Sequence, residues 1–194
     1  MQKILKQQYT DILALAFWLF LAGLRLGQAW QQRSLLALLL TLQAGLVAYA
    51  LTTRRDDLAQ VPRFQKLVAW LSALLPFLLQ VNSQPSLIQV CLAVCGLALA
   101  AWGLLSLGKS FGIAPADRGL IFHGPYQTLR HPVYAGELQS VLAILLGEPS
   151  PWNAIVFIAL LFTVLARIRW EERALGGYGG YAHQVRWRLI PGLW

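Results

Sequence analysis

The fold is decided by LVAWLSALLPFLLQVNSQPSLIQVCLAVCGLALAAWGLLSLG, Leu67–Gly108, a run without a single charged residue. About 20 consecutive apolar residues suffice for a helix to cross a bilayer. The run is interrupted once, by NSQP at Asn82–Pro85, a combination typical of turns. The stretch therefore predicts a helical hairpin whose natural solvent is lipid.

The rest of the chain agrees with a membrane protein. Of its 194 residues, 57% are hydrophobic and only 12% are charged, about half the charged fraction of a soluble domain. Four further apolar segments follow this pattern: Ile12–Leu24, Ser34–Thr53, Val133–Gly147 and Pro149–Ala166. We predict one all-α integral-membrane domain, residues 1–194, with five to six membrane helices. Its last two helices form a hairpin about GEPSP, Gly147–Pro151.

The first apolar segment is interpreted as an uncleaved membrane helix. Lys3 and Lys6 precede it, but no small-residue cleavage site follows it. To extend as far as Trp30, this helix must let Arg25 snorkel or face protein.

Lys and Arg set the expected orientation. They concentrate in both termini and in the loops Arg54–Lys66 and Lys109–His131, whereas the Asn82–Pro85 and Gly147–Pro151 turns have none. By the positive-inside rule, both termini and the two basic loops are predicted to be cytoplasmic. The net charge of +8 is not gathered into one basic tract, so nucleic acid is not an expected partner.

The two cysteines are expected to be packing residues. Cys91 and Cys95 lie four apart in an uncharged run, with no His or acid nearby. Two thiols alone are a poor ligand set for a metal. No metal site is predicted.

Polar chemistry is concentrated at GPYQTLRHPVYAGE, Gly124–Glu137. Pro132 is well placed as the first residue of a helix, with Arg130 and His131 just before it. Tyr134 and Glu137, three apart, share one face of that helix. By itself this junction also fits simple anchoring at the lipid interface.

Two later segments are also polar: ARIRWEERAL, Ala166–Leu175, and the aromatic and arginine-rich Tyr178–Trp194. Each alone fits an amphipathic exit helix or an interfacial tail. A helical hairpin, however, brings the start of one helix beside the end of its partner. It predicts that Arg130–Glu137 and Arg167–Glu172 meet at one depth, where ionisable residues are functional candidates.

These motifs resemble the isoprenylcysteine carboxyl methyltransferase family and its integral-membrane relatives, including phosphatidylethanolamine N-methyltransferase. The resemblance covers about Leu107–Pro191 and rests on RHPVYAG followed by WEERAL. It implies a methyltransferase-like catalytic part, residues 109–194, behind N-terminal membrane helices, residues 1–108. It implies S-adenosylmethionine, converted to S-adenosylhomocysteine, in a pocket at the cytoplasmic face.

The resemblance also implies roles for individual residues. Those implied to bind the cofactor are Tyr126, His131, Pro132, Tyr134, Gly136, Glu137, Glu171 and Glu172. Arg167 and Arg130 are assigned to catalysis, with Arg167 holding the acceptor carboxylate or a neighbouring charge. The family usually has more residues before its paired tyrosines, whereas GGYGG, Gly176–Gly180, follows Leu175 directly. We expect a shorter, flexible segment there.

The acceptor is expected to be lipophilic and to enter from the membrane lipids. A carboxylate acceptor, as in isoprenylcysteine methylation, needs orientation by an arginine, whereas an amine must also lose a proton. Short loops and compact size favour a prokaryotic cell membrane. The identity of the acceptor and the oligomeric state stay open. So do two alternatives: a non-enzymatic membrane scaffold, and a sterol-reductase-like enzyme that uses NADPH.

Overall fold

A computed structural model describes residues 2–53, 62–81, 84–114 and 117–194. Within these ranges the regular structure is helical, which confirms the all-α prediction. The helices are α1 Gln2–Gln32, α2 Leu35–Thr53, α3 Arg63–Leu74, α4 Leu87–Leu107, α5 Pro132–Gly147, α6 Pro151–Ala174 and α7 Tyr178–Gln184. Short 3-10 turns occupy Leu75–Leu78, Gly108–Ser110 and Gly124–Gln127. Most of the predicted basic loop, residues 54–61, lies outside the described residues.

Three of the described helices are long and apolar enough to cross a membrane: Leu35–Thr53, Leu87–Ser110 and Pro151–Ala174. The chain is therefore an integral membrane protein. α5 is apolar but shorter. That α1, α3 and α5 complete a set of five to six membrane helices stays a prediction.

The predicted hairpin over Leu67–Gly108 differs from the observed structure. α3 ends at Leu74 because Pro76 lacks the N–H that would continue the helix. α4 begins after a reciprocal cap in which Ser86 N donates to Gln89 Oε1 at 2.8 Å. α3 and α4, the two arms of the predicted hairpin, do not pack mainly on each other. α3 packs on α6, and α4 packs most closely on α5.

Glycines allow α4 and α5 to approach closely. A Cβ atom on Gly136 would lie 2.4 Å from the carbonyl oxygen of Gly96 and 2.6 Å from the amide nitrogen of Ala100. Backbone atoms cannot retreat from such a contact as a flexible side chain can. Small residues at a helix crossing are characteristic of packing between membrane helices.

The side chain of Arg25 faces protein and does not snorkel to the membrane surface; these were the two placements that the sequence allowed. It is only 4% exposed. Its Nη2 donates to the carbonyls of Pro76 at 2.7 Å and Leu79 at 3.1 Å, and its Nη1 donates to Gln28 at 2.6 Å. The guanidinium thus supports the turn after α3, where the Pro76 carbonyl also accepts from Leu79 N at 3.4 Å.

The C-terminal part of the chain returns to the start of α5. The predicted hairpin of α5 and α6 is present, joined by Glu148–Ser150. The glycine-rich stretch expected to be flexible instead turns at Gly177 and enters α7. Beyond α7, the amides of Arg130 and His131 donate to the carbonyls of Trp187 at 2.8 Å and Arg188 at 3.0 Å. The tail is thereby held beside the polar residues that precede α5.

Candidate active site

The start of α5 and the end of α6 bring a histidine, a tyrosine and two glutamates together. His131 Nε2 lies 3.3 Å from Glu172 Oε1, and its Nδ1 lies 3.7 Å from Glu171 Oε2. The Tyr134 hydroxyl donates a hydrogen bond to Glu171 Oε1. This geometry confirms that the segments Arg130–Glu137 and Arg167–Glu172 meet.

The two adjacent glutamates have different surroundings. Glu172 accepts from Arg188 Nε at 2.8 Å and Nη2 at 3.0 Å, and from the Tyr178 hydroxyl at 2.7 Å. Arg130 Nη1 lies 3.7 Å from it. Among the described residues, Glu171 accepts a hydrogen bond from Tyr134 alone. Glu172 is therefore occupied by protein donors, whereas Glu171 keeps lone pairs for another partner.

The tyrosines beside this cluster stay protonated. Burial, followed by the hydrogen bond to Glu172, raises the pKa of Tyr178 above its ordinary value. Burial also raises the pKa of Tyr181 to about 12, although the charge of Arg130 opposes the shift. Tyr181 donates to the carbonyl of Tyr126 at 2.8 Å. Neutral phenols therefore remain available here as donors and aromatic surfaces.

Arg130 is largely committed to the tail. Its Nε donates to the Val185 carbonyl at 2.6 Å, and its Nη2 donates to the carbonyls of Ala182 at 3.2 Å and Arg186 at 3.0 Å. Arg130 also lines the cavity described below. It fixes the tail while adding positive charge to the polar end.

Arg167 is a buried cation one turn before the glutamates. It is 5% exposed, and its Nη1 donates to Ser72 Oγ at 3.3 Å. Its Nη2 donates to the Ile113 carbonyl at 2.9 Å, and its guanidinium carbon lies 4.7 Å from the centre of the Tyr134 ring. Within the described part of the chain, its Nε has no hydrogen-bond partner. One buried N–H of a charged group is thus left for a ligand.

Several of these side chains line the polar end of a cavity of about 170 Å³. A cavity of about 150 Å³ holds a molecule the size of benzene, so a lipid would be only partly enclosed. The polar end includes Arg130, His131, Tyr134, Glu137, Arg167, Glu171 and Tyr178. The apolar part includes Trp18, Leu40, Ala44, Val47, Phe77, Ala100 and Leu104, from α1, α2, the turn after α3, and α4.

Seven of the ten predicted site residues line this cavity: Tyr126, Arg130, His131, Tyr134, Glu137, Arg167 and Glu171. The other three are not part of the cavity lining. Pro132 starts α5 and packs near Gly103 of α4. Gly136 forms the α4–α5 crossing, and Glu172 holds the tail. The structure gives these three residues packing and anchoring positions rather than a place on the cavity wall.

Three contributors were not singled out from the sequence. Tyr178 and Arg188 belong to the aromatic and arginine-rich tail, and that alternation was the available signal. No sequence signal pointed to Ser72, since it is one serine within the long apolar run. It reaches Arg167 only because α3 packs on α6.

Residues 86–178, just under half of the 194-residue chain, match the phospholipid methyltransferase family. This is a family of integral-membrane methyltransferases related to isoprenylcysteine carboxyl methyltransferases, so the resemblance seen in the sequence is confirmed. The match spans α4, α5 and α6 and ends at the first residue of α7. No curated protein matches the chain. The match therefore supports a membrane methyltransferase in general.

Proposed function

We propose that this membrane methyltransferase moves a methyl group from S-adenosylmethionine to a lipophilic acceptor at the polar end of its cavity. One observation carries the proposal: a single cavity joins a cluster of Arg, His, Glu and Tyr to an apolar lining supplied by membrane helices. The lining offers polar partners to a charged cofactor and apolar surface to an oily acceptor, each of which would be only partly enclosed.

The residues present fit the cofactor. S-adenosylmethionine carries a carboxylate, an ammonium, a sulfonium and an adenine, and when bound it supplies the electrophilic methyl carbon. The available carboxylate of Glu171 suits a cation, while Arg130 and His131 suit the carboxylate. Tyr126, Tyr178 and Tyr181 offer rings that attract cations and stack on flat groups.

Arg167 suits the acceptor. It lines the cavity with an unused Nε–H, and its guanidinium carbon lies 4.7 Å from the centre of the Tyr134 ring. We infer that it orients an anionic acceptor atom, such as a carboxylate oxygen, in line with the methyl carbon. An amine acceptor would instead lose its proton to Glu137 or His131 before attack.

The apolar walls contribute by excluding water. Interactions of Arg167 and Glu171 with charge on the reacting groups are stronger in a dry site than in solution. We place this site at the cytoplasmic face of a prokaryotic cell membrane, because the basic residues of the Lys109–His131 loop and of the C-terminal tail accumulate at that end.

Ligand binding to the purified, detergent-solubilised protein tests the proposal. We expect S-adenosylhomocysteine to raise the melting temperature and NADPH to leave it unchanged. Glu171→Gln removes the available charge and is expected to weaken S-adenosylhomocysteine binding about tenfold or more. Glu148→Gln, in the turn between α5 and α6, is the matched control and should bind as the wild type does.

Three results would count against the proposal. Stabilisation by NADPH alone would support a reductase, and no response to either compound would support a non-enzymatic scaffold. Normal binding by Glu171→Gln would remove this residue from the cofactor site. Methyl transfer from labelled S-adenosylmethionine to lipophilic acids, thiols and amines then identifies the acceptor class.

A further inference from the structure

Trp18 is a large aromatic residue that points inward from α1. It is only 3% exposed, whereas Phe17 and Leu19 on either side of it are 46% and 53% exposed. Its side chain lines the cavity, as do Ala44 of α2 and Phe77 of the turn after α3. The first helix therefore contributes an indole to the apolar part of the cavity wall.

Contacts with two other elements fix the orientation of this indole. Its Nε1 donates to the Ala44 carbonyl at 2.8 Å, in a buried hydrogen bond. The Phe77 ring lies edge-on to it, with centroids 5.5 Å apart and planes at 89°, and the Trp70 ring lies 6.4 Å away at 67°. Edge-to-face pairs of this kind stabilise beyond the apolar area that they bury. The indole cannot turn away from a ligand without losing these contacts.

Trp18 and Arg167 line the same cavity. They also contact the same short stretch of chain, because Trp18 packs against Trp70 and Phe77 while Arg167 donates to Ser72, which lies between those two in sequence. The cavity measures about 170 Å³, close to the volume of about 150 Å³ that holds benzene. In so small a space, the size of one aromatic side chain in the wall decides which apolar groups fit.

The aromatic residues that form this part of the wall precede residue 86, where the match to the phospholipid methyltransferase family begins. We propose that Trp18 is a specificity-determining residue, whose indole limits the size of the apolar group that the cavity accepts. The group admitted is compact, and bulkier ring systems are excluded. That this group belongs to the methyl acceptor rests on the proposed function, whereas the size limit rests on the packing of the indole.

Hydrocarbon probes of two sizes test the limit without involving the polar end. Benzene and naphthalene are titrated against the wild-type protein and Trp18→Leu in the same detergent solution. Leucine is apolar but smaller than tryptophan, so this variant should open space beside Phe77. We expect the naphthalene-to-benzene affinity ratio to rise about tenfold, the effect of burying additional apolar surface. Trp18→Phe keeps one aromatic ring and should shift the ratio less, in the same direction. It decides the test if Trp18→Leu does not fold.

Trp70→Leu is the matched control. Trp70 belongs to the same apolar cluster and contacts the indole, but it lies outside the cavity lining that the described residues form. It should keep the wild-type ratio. An unchanged ratio in the Trp18 variants, no binding of either probe to them, or an equal rise in Trp70→Leu overturns the proposal.

The same preparations separate this proposal from the proposed function, because the hydrocarbon titration needs neither cofactor nor methyl transfer. If the ratio rises in Trp18→Leu but S-adenosylhomocysteine does not bind the wild-type protein, the size limit stands and the proposed function fails. If S-adenosylhomocysteine binds and the ratio does not change, the size limit fails and the proposed function stands.

Discussion

At the scale of single residues, the sharpest contrast is between neighbours of the same type. Glu171 and Glu172 are adjacent in sequence, yet Glu171 lines the cavity while Glu172 is enclosed by Arg188, Tyr178 and His131. Successive residues of a helix point about 100° apart, so one carboxylate faces the cavity and the other faces the tail. Only Glu171 is expected to contact a ligand directly.

Ser72 is expected to act as a positioning residue for Arg167. Its hydroxyl is fully buried and accepts from both Arg167 Nη1 and the Thr163 hydroxyl. Ser72→Ala should let the guanidinium turn away and lower methyl transfer about tenfold, while S-adenosylhomocysteine affinity stays the same. Steady-state kinetics with varied acceptor, together with cofactor binding, measure the two effects.

Ser140→Ala serves as the control for that variant. Ser140 is also a buried serine, but it bonds to the Gly136 carbonyl of its own helix. If both alanine variants reduce activity equally, or if Ser72→Ala also loses cofactor binding, then Ser72 supports the fold rather than the orientation of Arg167.

At the scale of elements, the α4–α5 crossing sets the position of the site, because α5 carries His131 at its start and Tyr134 in its first turn. Gly136→Ala would place a Cβ against backbone atoms of Gly96 and Ala100. We expect a loss of about 3 kcal/mol in stability, since the helices must separate. Gly45→Ala on α2 should leave the melting temperature in detergent unchanged or raise it, since among the described residues the added Cβ would meet nothing within 4 Å apart from its own helix backbone.

A melting temperature for Gly136→Ala equal to that of Gly45→Ala would show that α4 and α5 do not approach as closely as described. Cofactor affinity in the folded fraction separates packing from binding. A glycine needed for packing alone leaves that affinity near the wild-type value.

The tail is the second element whose position matters. Glu172 ties it to α6 through Arg188 and Tyr178. Glu172→Gln weakens these charge-assisted bonds, with an expected cost of about 2 kcal/mol, and should speed chymotrypsin cleavage after Tyr181 and Trp187. Arg169→Gln is the matched control, since Arg169 is exposed and donates to the Leu165 carbonyl of its own helix at 3.4 Å. Equal cleavage rates in the two variants would contradict this anchoring role.

The sequence predicts those features of the fold that local interactions determine. Helix existence follows from long apolar runs, and the start of α5 follows from Pro132. The meeting of His131 with Glu172 was predictable because a hairpin imposes it. The contact of Ser72 with Arg167 was not predictable, since no local sequence pattern indicates that α3 packs on α6 rather than on α4. The sequence also did not indicate that Gly136 faces α4 rather than the cavity.

At the scale of the whole molecule, the two ends of the helix bundle differ in their content of basic residues. The start of α5, the end of α6 and the tail carry arginines, whereas the turn at Glu148–Ser150 has no basic residue. By the positive-inside rule, this division predicts that the site and the C-terminus lie in the cytoplasm. Cofactor made inside the cell would then reach the polar end directly, while an acceptor would reach the apolar part from the bilayer.

Cysteine labelling in intact bacterial cells tests that orientation. With Cys91 and Cys95 both replaced by serine, Pro149→Cys places a thiol at an exposed position in the turn between α5 and α6. It should react with a membrane-impermeant maleimide in intact cells. Gly192→Cys, exposed in the tail, should react only after the membrane is permeabilised. The reverse pattern would put the site outside the cell, where it could not draw on cytoplasmic S-adenosylmethionine.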